Sequence, residues 1–277
     1  MHIPFIISSP NLLLFALSRI VSTPCAYTAI PEASACRIFT TILSQGNCGA
    51  CAAFAVSALV AMHACLTDKE DFIPSPYRLF DCANGTCDGG ISCKSALAVA
   101  RFGVGDLRDS EPRFGIPCDL RSEHRQRHLP SITDVVIADP AQIKLAVMVF
   151  GPLLGSMTHL IRRDTGVYRL RANVTMPTPT LHAVVIVGWD TEDNWIVQNS
   201  WGKEWGDEFG RGRIEQDVLA YAFDPSVQWT KIACLVGVIT CAVFSFYITP
   251  KRERRMWMII YALLFAFIVY PPIIRVL

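Results

Sequence analysis

The stretch from Ser44 to Phe54, Ser-Gln-Gly-Asn-Cys-Gly-Ala-Cys-Ala-Ala-Phe, decides how this chain folds. A glutamine and a glycine turn lead through two cysteines into an alanine-rich apolar run, which predicts a buried helix from Ala50 to Ala64. Cys51 would lie at the N-terminus of that helix. The free backbone N–H groups and the macrodipole at this position favour a thiolate over a thiol, so the pattern predicts a nucleophilic sulfur.

Two polar residues far downstream fit a role beside this cysteine. His182 lies in Leu-His-Ala-Val-Val, and Asn199 lies in Gln-Asn-Ser-Trp-Gly. They follow Cys51 by 131 and 148 residues, respectively. The sequence signature of papain and the cathepsins places the histidine and the asparagine about 130–150 residues after the nucleophile. On these motifs the chain resembles the papain-like cysteine peptidases over residues 30–224.

The resemblance implies distinct roles for four residues. Cys51 is the nucleophile, His182 transfers protons, and Asn199 orients the imidazole through a hydrogen bond. Gln45 donates to the oxyanion together with the backbone N–H of Cys51. Trp201 shields the histidine–asparagine hydrogen bond and is counted among the substrate-binding residues. This chemistry requires neither a metal nor another cofactor.

The cysteines indicate a branch of the family and an oxidising compartment. The offsets of Cys36 and Cys65 from the active-site segment are similar to those of the cathepsin B branch. The resemblance implies three disulfides: Cys36–Cys65, Cys48–Cys87 and Cys82–Cys118. These pairs leave Cys93 without a partner, so Cys93 is either a small buried hydrophobe or pairs with Cys118 in place of Cys82.

A Cys-Asp-Gly-Gly segment at residues 87–90 resembles the substrate-binding element of the family. Gly89 and Gly90 are therefore predicted to bind substrate, the second by backbone pairing with an extended peptide. Two glycines also serve simply to allow a turn. Two positions depart from the family pattern: Ala52 replaces the aromatic residue after the nucleophile, which loosens the cleft, and Asp88 adds a charge beside the substrate path.

The residue pattern changes along the chain from helical to extended. Alanine- and leucine-rich segments at 50–64 and 95–101 predict helices, and β-branched segments at 181–187 and 195–198 predict buried strands. Helices first and strands later indicate an α+β class rather than alternating β-α-β units. The resemblance implies the papain-like fold over residues 27–225, with a helical left lobe and a strand-rich right lobe that meet at a cleft.

Two apolar runs occupy the C-terminus. Segments 230–249 and 256–274 are each close to the ~20 residues that cross a bilayer, and aromatic residues lie near their ends. The intervening loop at 251–255 carries four basic residues, which favours a cytosolic position. We expect a transmembrane hairpin that places the peptidase domain in a lumen or outside the cell. Two core helices of the soluble domain are the alternative.

The N-terminus and two glycosylation motifs agree with that location. Residues 1–26 predict a signal sequence, apolar from Ile3 to Leu17, with an uncleaved anchor as the alternative. Sequons at Asn84 and Asn173 can carry glycans in a lumen. The expected location is an endomembrane compartment of the lysosomal or vacuolar kind, or the cell surface.

These observations favour a proteolytic enzyme. A net charge of +1 over 277 residues gives no electrostatic support for binding nucleic acid. We expect a monomeric, membrane-anchored endopeptidase that cleaves peptides or proteins through a thioester acyl-enzyme. The loop with His124 and His128 is short and lacks a second flanking cysteine, which argues against removal of C-terminal dipeptides. The alternatives are a thiol–disulfide oxidoreductase that uses Cys48 and Cys51, and a surface protein on a catalytically decayed peptidase scaffold.

Overall fold

The first three of the four α-helices described here come before every strand except the first. This is the helix-then-strand order that the residue pattern indicates. The two predicted membrane segments, most of the predicted signal sequence, and the loop with His124 and His128 lie outside the part of the chain that the structure describes. The computed structural model describes residues 23–31, 35–118, 136–175, 181–207 and 209–223.

Within these residues, the α-helices are α1 (Cys51–Asp68), α2 (Pro76–Cys82), α3 (Cys93–Phe102) and α4 (Pro140–Phe150). α1 and α3 correspond to the two helices predicted from the sequence, although α1 begins one residue later, at Cys51, and extends to Asp68. Three helices begin at side-chain caps, which are Ser75 for α2, Ser92 for α3 and Asp139 for α4. Proline at the first position of α2 and α4 reinforces the start, because its fixed φ suits a helix and its missing N–H leaves no donor unpaired.

Helix α1 forms the centre of the left lobe. It is the one helix among the described residues that is long and apolar enough to cross a membrane, yet 72% of its most apolar stretch is buried inside the fold. Phe54, Leu59 and Met62 are almost completely enclosed. A helix that is apolar on all sides needs cover on all sides, and here the surrounding protein provides it. α1 is therefore a core helix of the left lobe.

The right lobe is built on one large sheet. Its strand order is β2-β9-β3-β6-β7-β8-β5-β4, with β1 also paired to β6. All pairs are antiparallel except β5 with β8. β6 and β7 are the two strands predicted from the sequence. The strands are β1 (Tyr27–Thr28), β2 (Val136–Ile137), β3 (Leu153–Thr158), β4 (Ile161–Asp164), β5 (Val167–Leu170), β6 (Leu181–Trp189), β7 (Trp195–Gln198), β8 (Arg211–Ile214) and β9 (Leu219–Phe223).

The antiparallel pairing of β6 and β7 positions two predicted site residues. His182 is the second residue of β6, and Asn199 directly follows the last residue of β7. Because antiparallel neighbours run in opposite directions, the start of β6 and the end of β7 lie at the same end of the sheet. α1 packs against β6, so the left lobe meets the right lobe beside these residues.

Three disulfides close the left lobe and its loops. They join Cys36 to Cys65, Cys48 to Cys87 and Cys82 to Cys118, the same pairs that the resemblance implied. The alternative pairing of Cys93 with Cys118 is therefore not found. Each such bridge typically stabilises a fold by ~2–4 kcal/mol. Among the described residues, Cys25, Cys51 and Cys93 are free thiols.

Candidate active site

A buried hydrogen bond between His182 and Asn199 lies at the centre of the site. The imidazole Nε2 and the Asn199 Oδ1 are 2.7 Å apart, and the two residues are only 5% and 3% exposed. The backbone N–H of Ser200 donates to the same Oδ1, also at 2.7 Å. Because an amide oxygen can only accept a hydrogen bond, Nε2 of His182 must be the donor. The neutral imidazole then carries its proton on Nε2 and keeps a free lone pair on Nδ1.

Trp201 covers this hydrogen bond. Its indole stacks on the His182 ring with centroids 4.4 Å apart and an angle of 30° between the ring planes. Trp205 packs edge-on against Trp201 at 5.8 Å and supports it from behind. The stacked indole is large enough to exclude water from the histidine, which strengthens the hydrogen bond by lowering the local dielectric.

Gln45 is fixed next to this pair although it comes from the other half of the chain. Its backbone N–H donates to the Ser200 carbonyl at 2.9 Å, and its side-chain Oε1 accepts from the Ser200 hydroxyl at 2.7 Å. Its Nε2 donates to the Cys48 carbonyl at 2.8 Å. These contacts fix which end of the amide is oxygen and which is nitrogen. One of the two Nε2–H donors remains for another acceptor.

Cys51 is the first residue of α1 and is partly exposed. The preceding residue, Ala50, offers no side-chain cap, and the first turn contains no acidic residue. The backbone N–H groups of a first turn have no partner within the helix, and their partial positive charge favours an anion. Cys51 therefore lies at the positive end of the α1 dipole.

Two glycines let the loop before α1 contact the predicted substrate-binding segment. The N–H of Gly49 donates to the Cys87 carbonyl at 2.8 Å. A Cβ on Gly90 would lie 2.7 Å from the Gly49 carbonyl oxygen, and Gly90 has a φ of +66°. Only glycine adopts this conformation at so close an approach without strain. Gly90 therefore has a clear conformational role, and Gly89 beside it is exposed.

A cleft of about 370 Å³ opens between the two lobes. Leu181 and Ala183, which flank His182 on β6, line the same cleft as Cys51. Ala52 also lines it, at the position where the sequence comparison expected an aromatic side chain. The lining residues are Cys51, Ala52, Ile91, Ser92, Cys93 and Lys94 from the left lobe, and Ser156, Leu181, Ala183, Tyr221 and Phe223 from the right lobe.

Burial controls the charge of His182. It lowers the pKa of the imidazole to about 4; the hydrogen bond to Asn199 raises the pKa in part, and the charge of His159 lowers it further. A solvent-shielded imidazole without an anion beside it is therefore neutral at pH 7. A neutral ring with a free Nδ1 can accept a proton, and it can return that proton once an anionic partner or a leaving group is present.

The structure brings together three residues predicted from the sequence, Gln45, His182 and Asn199, and adds others that the sequence did not suggest. Ser200 was not assigned a role, although its place inside the Asn-Ser-Trp motif was a usable signal. Tyr221 and Phe223 also line the cleft, and no family motif marks their segment in the sequence. Their alternation with smaller residues along β9 is the period of a strand with one face on a cavity.

Comparisons with known proteins agree with this architecture. The family described as papain family cysteine protease matches residues 30–220. Cysteine proteinase 2 of Zea mays is 29% identical over 199 residues, which covers 66% of this chain and 55% of the relative. Pro-cathepsin H of Mus musculus is 25% identical over 185 residues, with coverages of 61% and 55%. The chain thus spans about half the length of these curated relatives.

The solved structures give the same result for the fold. A structure from a study of antibody cross-reactivity between the mite allergens Blo t 1 and Der p 1 has a TM-score of 0.56 and 23% identity, and the match covers 80% of this chain and 74% of that chain. This likeness concerns the fold alone. With the family match over most of its length, the chain belongs to the papain family of cysteine proteases. The comparisons do not single out the cathepsin B branch.

Proposed function

We propose that this chain is a cysteine endopeptidase that hydrolyses peptide bonds through a thioester on Cys51. The observation that carries the proposal is the buried His182–Asn199 hydrogen bond of 2.7 Å, which leaves Nδ1 free. Cys51 lines the cleft between the lobes, at the start of the helix that packs against the strand of His182. A nucleophile at a helix N-terminus, a proton acceptor and a group that orients it are the three parts of a catalytic triad.

The reaction starts with transfer of the Cys51 proton to Nδ1 of His182. The thiolate attacks the carbonyl carbon of the substrate, and the oxyanion that forms accepts from the free Nε2–H of Gln45 and from the backbone N–H of Cys51. His182 then gives its proton to the leaving amine, which departs and leaves a thioester. In the second half, His182 takes a proton from a water molecule, and the resulting hydroxide attacks the thioester carbonyl. The C–S bond breaks, the carboxylic acid leaves, and His182 returns its proton to the Cys51 sulfur.

Substrate recognition is assigned to the cleft and to the glycine segment beside it. An extended peptide would pair with the backbone of Gly90 and place its side chains in the cavity between the lobes. Tyr221 and Phe223 provide an apolar wall on the right-lobe side, whereas Lys94 provides a positive charge on the left. The substrate is therefore a peptide or protein in extended form. A monomer suffices, because both halves of the proposed site come from one chain.

A lumenal or extracellular location is the second part of the proposal. Three disulfides require an oxidising compartment, and both sequon residues, Asn84 and Asn173, are exposed. Membrane anchoring through 230–249 and 256–274 stays a prediction from the sequence. Kinship with the cathepsin B branch also stays a prediction, based on the positions of the cysteines that form the first bridge.

The oxidoreductase alternative loses its main support in this structure. A redox Cys-x-x-Cys motif works by forming a disulfide between its own two cysteines. Here Cys48 is joined to Cys87, and Cys51 is a free thiol. The two cysteines of the motif therefore have separate roles.

The decisive test compares variants of the full chain on fluorogenic peptides. Cys51→Ala and His182→Ala should each lower kcat/KM by about 10³-fold or more, because members of a triad act as a unit. Cys25→Ala, which removes an exposed free thiol, is the matched control and should retain the activity of the wild type. A peptide-epoxide inhibitor should label Cys51 in the wild type. Activity that survives Cys51→Ala would refute the mechanism, and an unlabelled, inactive wild type would favour the decayed scaffold.

A further inference from the structure

A second free thiol faces the same cleft as the proposed nucleophile. Cys93 is the first residue of α3 and is partly exposed, and it forms no disulfide within the described residues. It lines the cavity of about 370 Å³ together with Cys51. The proposed peptidase chemistry gives Cys93 no role. The cleft therefore contains a free thiol whose chemistry the proposed peptidase mechanism does not use.

The covalent and backbone contacts around the two thiols bring their segments together. The Cys48–Cys87 disulfide holds two Cα atoms 4.3 Å apart, three residues before Cys51 and six before Cys93. The backbones of Gly49 and Gly90 lie in direct contact between these points. Both thiols therefore start helices whose N-termini are anchored side by side at the cleft.

Helices α1 and α3, which the two thiols begin, pack against each other. Burial raises the pKa of Cys93 to about 12, and the nearby charge of Cys51 adds to this increase. The two thiols differ in their surroundings, because Cys51 has the free N–H groups of an uncapped helix and Cys93 follows a capping serine. An oxidant should accordingly react with Cys51 first.

We propose that Cys51 and Cys93 form a reversible disulfide when the protein meets a peroxide, so that Cys93 is the resolving thiol of a modification site within the cleft. The inference uses the proposed function only for the identity of the reactive thiol. The Cys51 thiolate attacks one peroxide oxygen, the O–O bond breaks, and the leaving oxygen takes a proton to give water or an alcohol. Cys51 is now a sulfenic acid.

The second step closes the bond. The Cys93 sulfur attacks the Cys51 sulfur, the S–OH bond breaks, and the hydroxyl leaves with the Cys93 proton as water. Two thiols have then lost two electrons, and the peroxide has gained them. A thiol reductant restores both cysteines by exchange. The disulfide blocks the nucleophile but spares it from further oxidation to sulfinic acid, which is irreversible in most proteins.

The test uses the full chain treated with hydrogen peroxide, trapped with an alkylating agent and analysed by mass spectrometry of its peptides. Wild type should yield a cross-linked peptide pair that contains Cys51 and Cys93 and is lighter by two hydrogens than the separate thiol peptides. Its peptidase activity should fall at least about tenfold and return after treatment with dithiothreitol. Cys93→Ser should lose activity to peroxide but recover much less, with sulfinic acid on Cys51.

Cys25→Ser is the matched control, because it removes a free thiol outside the cleft and should behave as the wild type does. Absence of the cross-linked peptides from oxidised wild type would overturn the inference, as would equal recovery of wild type and Cys93→Ser. The peptide analysis needs no activity. A cross-link in a protein without peptidase activity would therefore support this inference and refute the proposed function. Peptidase activity without the cross-link would support the proposed function and refute this inference.

Discussion

The state of His182 can be isolated by removing its proposed partner. Burial lowers the pKa of His182 in the folded protein to about 4, against 6.5 for an exposed histidine; the Asn199 hydrogen bond opposes this shift and the charge of His159 adds to it. Cys51→Ala leaves these contacts in place and removes any thiolate from the cleft. We compare this variant with the double variant Cys51→Ala/His182→Gln, which lacks the titrating group. Groups without a contact to His182, such as His63 with its lowered pKa, contribute equally to both proteins.

The sign and size of the effect follow from linkage. Because the folded pKa lies below the unfolded one, the unfolded chain binds the extra proton between pH 6.5 and about 4. The stabilisation from neutral His182 is therefore complete above pH 6.5 and is lost as the pH falls through 4. A gap of about 2.5 in pKa corresponds to about 3 kcal/mol of unfolding free energy. The single variant should lose about that much more stability than the double variant between pH 8 and 4.

Urea unfolding at a series of pH values, followed by tryptophan fluorescence, measures this difference. Only the dependence on pH is compared, so a constant cost of the glutamine substitution cancels. Equal acid sensitivity of the two variants would refute the assignment of His182 as a buried neutral base.

Three further variants test the residues that position and complete the proposed site. Asn199→Ala removes a buried acceptor from the imidazole and should lower kcat about 10- to 100-fold, measured on a fluorogenic peptide. Gln45→Glu replaces the proposed oxyanion donor by a carboxylate and should lower kcat about 10²–10³-fold with little change in KM; an unchanged kcat would exclude the donor role. Gly90→Ala should lower the free energy of unfolding by more than about 1 kcal/mol, because its φ is +66° and its Cβ would meet the Gly49 oxygen at 2.7 Å. Gly115→Ala, with a φ of +83° and no atom within 4 Å, is the matched control and should cost less.

Features of the fold that depend on local pattern were open to prediction from the sequence. The apolar run after Cys51 and the β-branched run around His182 are uniform, so their length and residue types identify α1 and β6. The pairing of His182 with Asn199 followed from their spacing, and the antiparallel register of β6 and β7 supplies its physical cause. The prediction therefore rested mainly on two strongly apolar segments and on the spacing of His182 and Asn199 from Cys51.

Features that depend on tertiary contacts could not be predicted from the sequence. Residues 103–140 are polar and contain several prolines, which predicts a long loop, but the structure has β2 at Val136–Ile137 and begins α4 at Pro140. Asp139 before Pro140 is a regular helix start that the loop prediction passed over. Tyr221 reaches the cleft because β9 pairs with β3, where it lies opposite Ser156. No property of residues 219–223 alone specifies that partner strand. Strand partners are chosen by long-range packing, which a single sequence does not reveal.

Ser200 shows why a site assembled from distant segments can still be rigid. Its carbonyl accepts from the Gln45 N–H, its hydroxyl donates to Gln45 Oε1, and its N–H donates to Asn199 Oδ1. One residue thereby orients both amides, the one that would hold the oxyanion and the one that holds the imidazole. A shift of Ser200 would therefore disturb both amides at once, while Gln45 Nε2 is held further by the Cys48 carbonyl and Asn199 Oδ1 by His182. The polar groups proposed to act on the transition state are thus preorganised by one network of buried hydrogen bonds rather than by separate contacts.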